Sequence, residues 1–253
     1  GIRDIGVTGV QTCALPIYSE LTWCEHIKYI IQKTAPKIGL LSRLRHTLPT
    51  HLLSHVYNSI ILPYFDYCDT IWGNCCKKYR IIVQRLQNRC ARIVSGVFDY
   101  NISPSSLTEQ LGWQSFENRV KFHTSTLMFK CLHGQAPVHL SEKFRYVNQI
   151  HTKATRSSLT DLLEVPKPHK EKFRQSLLYN GPKTWNLLPY SLRSVSSLHQ
   201  FKSRYKKEYC TKSPLKSICF WLSSCNFYLV HVNRLFLWCL LFVLIYCMYC
   251  VIL

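Results

Sequence analysis

Asp66 and Asp69, in the run PYFDYCDTIWG (Pro63–Gly73), invite a catalytic reading, because paired carboxylates do acid–base work or hold a metal ion. The pair lacks a third carboxylate at a matching strand position and is set among aromatic residues at a helix exit. Capping and packing account for it better, and no catalytic residue is assigned. The stretch Tyr179–Lys202 holds no nucleophile beside a base and no glycine loop built to cradle phosphate. The 13 cysteines are scattered, with Cys75 and Cys76 adjacent. Cys210, Cys219, Cys225 and His231 are too irregularly spaced for a zinc ribbon or knuckle, and Cys247 and Cys250 stand in an apolar run that favours inert thiols. No metal and no cofactor is expected. Cysteines of this kind read as reduced intracellular thiols rather than a disulfide framework.

The stronger chemical signal is positive charge. The 253 residues carry a formal net charge of +19. Between Tyr18 and Cys210 there are 28 Lys and Arg against 12 Asp and Glu, a net of +16 spread through the segment. A basic folded domain favours a polyanion, nucleic acid before anionic membrane. Arg80, Arg85, Arg89 and Arg92 recur at spacings of five, four and three within Lys77–Gly96, a run with no acid. Guanidinium forks match phosphate geometry, and like charges at helical spacing are destabilising unless an anion offsets them. Lys28, Lys33 and Lys37 are further candidate phosphate contacts. The bland alternative for each is a solvated helix face.

These residues need helices to position them. Leu21–Arg45 places Trp23, Ile27, Ile30, Ile31, Ile38, Leu41 and Leu44 at helical spacing, with Thr22 and Glu25 as a capping box and Pro36 expected to kink or break the run. A second helix runs from Leu48-Pro49 to about Leu62, where Pro63 should end it. Lys77–Gly96 is the clearest amphipathic helix, with Ile81, Ile82, Leu86, Ala91, Ile93 and Val94 on its buried side. Pro104–Leu111 and Ser115–Leu132 are two more, the latter closed by His133-Gly134. Ala136–Tyr146 is a short helix or turn. Ser158–Val165 and Phe173–Tyr179 suggest two strands of a small hairpin, joined by a basic loop. Gly181-Pro182 and Leu188-Pro189 mark breaks around the buried-type Trp185, Leu187 and Leu188, and Ser197–Lys207 forms a basic amphipathic helix.

The two ends differ from the middle. Val7–Ile17, VTGVQTCALPI, resembles the translation of a sequencing-library adaptor, which would start the native protein near Tyr18. Leu235–Leu253 is a run of 19 uncharged residues, about 28 Å long as a helix and near the thickness of a bilayer core. It is either a C-terminal membrane anchor or read-through of non-coding sequence.

Several strings then fall in a fixed order: LTWCEHI (Leu21–Ile27), GLLSRLRHTLP (Gly39–Pro49), YNSIILPYFDYCDTIWG (Tyr57–Gly73), LQNRCARIVSG (Leu86–Gly96), LGW (Leu111–Trp113), MFKCLHGQAPVHL (Met128–Leu140), TRSS (Thr155–Ser158), LEVP (Leu163–Pro166) and YNGPKTWNLLPYSLR (Tyr179–Arg193). Together they resemble the thumb and post-palm region of reverse transcriptases of non-LTR, LINE-type retrotransposons of the jockey/CR1 group. The resemblance covers about Leu21 to Lys207. It implies a fragment that grips the template–primer backbone, RNA or RNA–DNA hybrid, for a palm domain it lacks, and a nuclear setting. The family's aromatic-x-Asp-Asp metal motif is missing, since Tyr67 and Cys68 separate the aspartates of FDYCD, so no polymerase activity is expected. Mg²⁺ would belong to the parent palm alone. Trp23 and its apolar neighbours would pack on the missing palm and be left exposed.

The expectation is therefore a mainly α chain: a leader at 1–17, a helical thumb-like domain at 18–150, a segment at 151–210 with a small β-hairpin near 158–180 and a basic helix, and a hydrophobic tail at 211–253. The expected function is non-catalytic binding of nucleic acid. The alternative is a tail-anchored membrane protein with a basic cytosolic domain.

Overall fold

The computed structural model describes residues 22–99, 101–150 and 161–209. The chain is mainly helical, in the order α1 (Cys24–Leu44), α2 (Thr50–Ile60), α3 (Leu62–Asp66), α4 (Asp69–Trp72), α5 (Lys77–Ser95), α6 (Pro104–Gln110), α7 (Phe116–Leu132), α8 (Val138–Ser141), α9 (Val147–Ile150), α10 (Glu171–Gln175), α11 (Leu177–Asn186), α12 (Tyr190–Arg193) and α13 (Leu198–Tyr209). A single cluster of buried apolar residues runs from Trp23 to Tyr205.

α7 lies at the centre. It packs against α3, α4, α5, α8, α11 and α13, and every residue from Thr124 to Phe129 is buried. Ser115 caps its start by accepting from the Asn118 N–H at 3.3 Å, and Gly134 follows its end at φ 67°. On one side Trp72 stacks on Phe116 and donates to the Tyr67 carbonyl at 2.7 Å. On the other, Phe129 meets Phe201 with ring centroids 4.9 Å apart, and Trp185 stacks on Phe201. At the outer layer, Tyr57 of α2 stacks on Trp113 at 3.8 Å.

Several expectations are corrected. α1 runs unbroken through Pro36. The proline removes the N–H that would reach the Gln32 carbonyl, and both residues are exposed on the solvent side. The buried face of Ile30, Thr34, Ile38 and Leu41 holds the helix together across the gap. Thr22 does not cap it; Trp23, at φ 60°, is the N-cap residue, without a side-chain hydrogen bond. Trp23 is also buried within the chain, at 3% exposure, beside His26. Pro63 does not end a helix but sits in the first turn of α3, where its missing N–H costs nothing. On α5, Ile81 is exposed, and the buried face consists of Val83, Gln87, Cys90, Ala91, Ile93 and Val94.

The expected hairpin near 158–180 is absent. The described residues contain no strand, only an isolated antiparallel bridge between Tyr146 and Leu163. The Asn186 side chain supplies what a neighbouring strand would: it donates to the Leu163 carbonyl at 2.8 Å and accepts from the Leu163 N–H at 2.9 Å. Phe173–Tyr179 belongs to α10 and α11, and Gly181-Pro182 lies inside α11. Leu177, Gly181, Pro182 and Trp185 are the residues that α11 buries, and Leu188 is buried just beyond it, whereas Leu187 is 75% exposed. The expected membrane span finds no counterpart among the described residues: no described helix is long and apolar enough to cross a membrane. The 19-residue run Leu235–Leu253 lies outside the described residues, as do the adaptor-like leader and residues 158–160.

Two glycines mark backbone contacts too close for a side chain. A Cβ on Gly181 would sit 2.6 Å from Met128 Sδ; one on Gly73 would collide with the Asp69 carbonyl and lie 2.6 Å from a Val120 methyl. A thioether can turn aside, but a helix carbonyl cannot. Gly73→Ala should therefore destabilise the protein by about 3 kcal/mol and Gly181→Ala by about 1 kcal/mol. Urea unfolding checks the order; equal losses, or the reverse order, would contradict this packing.

Candidate functional site

The aspartates that opened the analysis sit at the end of α3 and the start of α4, and both reach α7. Arg119 Nε donates to Asp66 Oδ1 at 2.8 Å, and its terminal nitrogen contacts Oδ2, so the pair is bidentate. His123, one turn further along α7, places Nδ1 2.5 Å from Asp69 Oδ2. Neither aspartate caps a helix through its side chain; the N-cap of α4 is Cys68. The capping assignment is thus corrected to cross-helix pairing. The sequence signal was there in complementary form: acids at i and i+3 near α4, bases at i and i+4 on α7. The 53 and 54 residues between the partners hid it.

Donor atoms of Asp66, Asp69 and His123 lie within 4.8 Å of one another, the only such group of three among the described residues. Arg119 already holds both oxygens of Asp66, and His123 holds Asp69. The chain itself provides the positive charge a cation would bring, so the cluster acts as a charge-neutral clasp between α3–α4 and α7.

Burial pushes the Asp69 carboxyl up to about 6, against the pull of His123. Burial alone would lower His123, but the carboxylates of Asp69 and Asp66 outweigh it and raise its pKa. The folded pair holds protons that the unfolded chain has released. The Asp69 contribution is lost as pH rises from about 4 to about 6. The His123 contribution is full below the ordinary histidine value and is lost as pH rises through its elevated folded one. His26 opposes this. It is buried at 3% exposure, packed edge-on against Trp72, with neither ring nitrogen hydrogen-bonded, and burial lowers its pKa to about 4. Its contribution is lost as pH falls from 6.5 toward 4.

The basic candidates divide into groups. At about 100° per residue, Arg85, Arg89 and Arg92 point away from the buried stripe of α5, while Arg80 falls on its edge. Arg80 is half-buried and lies 3.9 Å from Glu117. Arg92 donates to the carbonyls of Asp99 at 2.6 Å and Ile102 at 3.0 Å, tying down the loop before α6. Arg85 and Arg89 are exposed one turn apart. Lys28 is exposed but paired with Glu25 at 2.5 Å. Lys33 and Lys37 are half-buried, over the rings of Tyr29 at 5.6 Å and Tyr64 at 5.3 Å. The expected arginine face thus narrows to Arg85 and Arg89, because the other two are used within the fold. Cys24, Cys68, Cys75, Cys76, Cys90 and Cys131 are not joined in disulfides, and burial pushes Cys75 and Cys90 up to about 12, far from reactivity at neutral pH.

No family model matches this chain, and no curated protein or solved structure matches it either.

The opposed titrations of the clasp and of His26 give a direct test. His26→Phe removes an unsatisfied polar ring while keeping its shape, so the protein should fold. Its urea midpoint should then fall between pH 5 and 8 more steeply than that of the unaltered chain. Adding Asp69→Asn should flatten that dependence. A midpoint that rises with pH in the single variant would rule out the clasp as the proton store.

Proposed function

We propose that this chain is a non-catalytic, helical nucleic-acid-binding module that holds the phosphate backbone of RNA or an RNA–DNA hybrid without regard to base sequence. One observation carries the proposal: Arg85 and Arg89 are exposed one turn apart on α5, a helix with six basic residues and no acid. Such a face is self-repelling on its own and is stabilised by a row of phosphates. The resemblance to the thumb and post-palm region of LINE-type reverse transcriptases supports the same reading, since a thumb grips template–primer from outside the reaction centre. The clasp of Asp66, Asp69, Arg119 and His123 is assigned to holding the helices, and no catalytic step is assigned to it.

The test is fluorescence anisotropy of the full chain with a labelled RNA–DNA hybrid across salt concentrations. Binding should weaken steeply with salt. Arg85→Gln with Arg89→Gln should lower the slope of log K against log salt by about 1.8, two phosphate contacts' worth for a duplex. Arg92→Gln should lower thermal stability by freeing the 99–102 loop, with a smaller effect on the slope. An unchanged slope in the Arg85/Arg89 variant would sink the assignment.

A further inference from the structure

α13 crosses α7 in the opposite direction: Phe201 meets Phe129 and, one turn on, Tyr205 meets Phe122. This brings a second set of cations together that spacing along the chain does not reveal. Lys130 follows Phe129 on α7 and Lys202 follows Phe201 on α13, so the Phe129–Phe201 contact brings both to the seam, and Lys206 lies one turn on from Lys202. The Lys206 Nζ sits 6.0 Å from the centre of the Phe122 ring. At about 100° per residue, Lys202, Lys206 and Tyr209 fall within an arc of about 60° on α13, on the flank of its buried face. Lys202 and Lys206 are separated by about 6 Å along the axis. Tyr209 is 45% exposed, and its ring centroid lies 4.7 Å from that of Tyr205. α13 as a whole carries Lys202, Arg204, Lys206 and Lys207 against Glu208, a net of +3.

We propose that the α7–α13 seam is a second contact surface, for single-stranded nucleic acid, in which Lys130, Lys202 and Lys206 line the backbone path and Tyr209 stacks on a base. A positive track with an adjoining open aromatic ring is what an unpaired strand recognises; a duplex hides its base faces. The proposal rests on the nucleic-acid reading above and deepens it by giving the chain a surface for the unpaired part of a strand. Burial, together with the neighbouring ammonium groups, lowers the pKa of both Lys130 and Lys202. Polyphosphate backbone would relieve that repulsion.

The experiment compares a labelled 20-nucleotide single strand with a 20-base-pair duplex, each titrated with the full chain at several salt concentrations. Lys202→Gln with Lys206→Gln should reduce the single-strand salt slope by about 1.4 while raising the thermal midpoint, because it removes like-charge repulsion. Tyr209→Ala should weaken single-strand binding at least about fivefold, leaving the slope and duplex binding unchanged. The Arg85/Arg89 variant separates the two ideas. If the unaltered chain binds neither probe, both readings fall. If it binds and responds to the arginine variant but not to the lysine pair, the seam is overturned while the α5 surface stands. If the lysine pair weakens both probes equally and Tyr209→Ala changes nothing, the seam is not a single-strand surface.

Discussion

Burying the C-terminal half of α7 is the constraint from which the rest of the fold follows: Thr124 to Phe129 are all buried, while Glu117, Asn118 and Lys121 near its start are exposed. A helical stretch covered all round satisfies its polar groups chiefly within itself. Ser125 and Thr126 do so by bonding back to the Lys121 and Phe122 carbonyls at 2.8 Å each. Its packing partners must also come close. Gly181 lets α11 lie against Met128, and Gly73 lets the turn after α4 lie against Val120. Trp72 and Trp185, both fully buried, fill the two sides. The short helices α3, α4 and α8 are too brief to be stable alone and exist because α7 offers them a surface.

The same constraint sorts the charges. The chain has few acids, and five of the described ones are held in ion pairs within the fold. Asp66 and Asp69 are clasped by Arg119 and His123, Glu117 serves Lys121 and Arg80, Glu25 pairs with Lys28, and Glu171 with Arg174. The clasp places opposite charges where burial would otherwise penalise each one. The exposed pairs contribute little to stability, yet they remove acids from the outer field. Basic residues remain clustered on α5 and on the α7–α13 seam.

Local physics made much of the framework legible. α5, α6, α7 and α13 follow from apolar periodicity, and the end of α7 from His133-Gly134. Periodicity also exposed the excess of arginine on α5. Breaker residues misled: Pro36 and Pro182 stand inside helices, and Pro63 begins one. A proline raises the local energy by a few kcal/mol, and a long buried face offsets that.

The sequence alone determined which segments could be helical and that the surface would be basic, because both depend on neighbours within a turn or two. The tertiary structure decided which residues of each helix face the core, leaving Leu187 and Ile81 outside and Arg80 on the edge. It also decided that Asp66 and Asp69 would find Arg119 and His123, and that Phe201, next to Lys202, would meet Phe129, next to Lys130. These contacts join positions far apart in the chain, and their free energy comes from burial that exists only once α7 is enclosed.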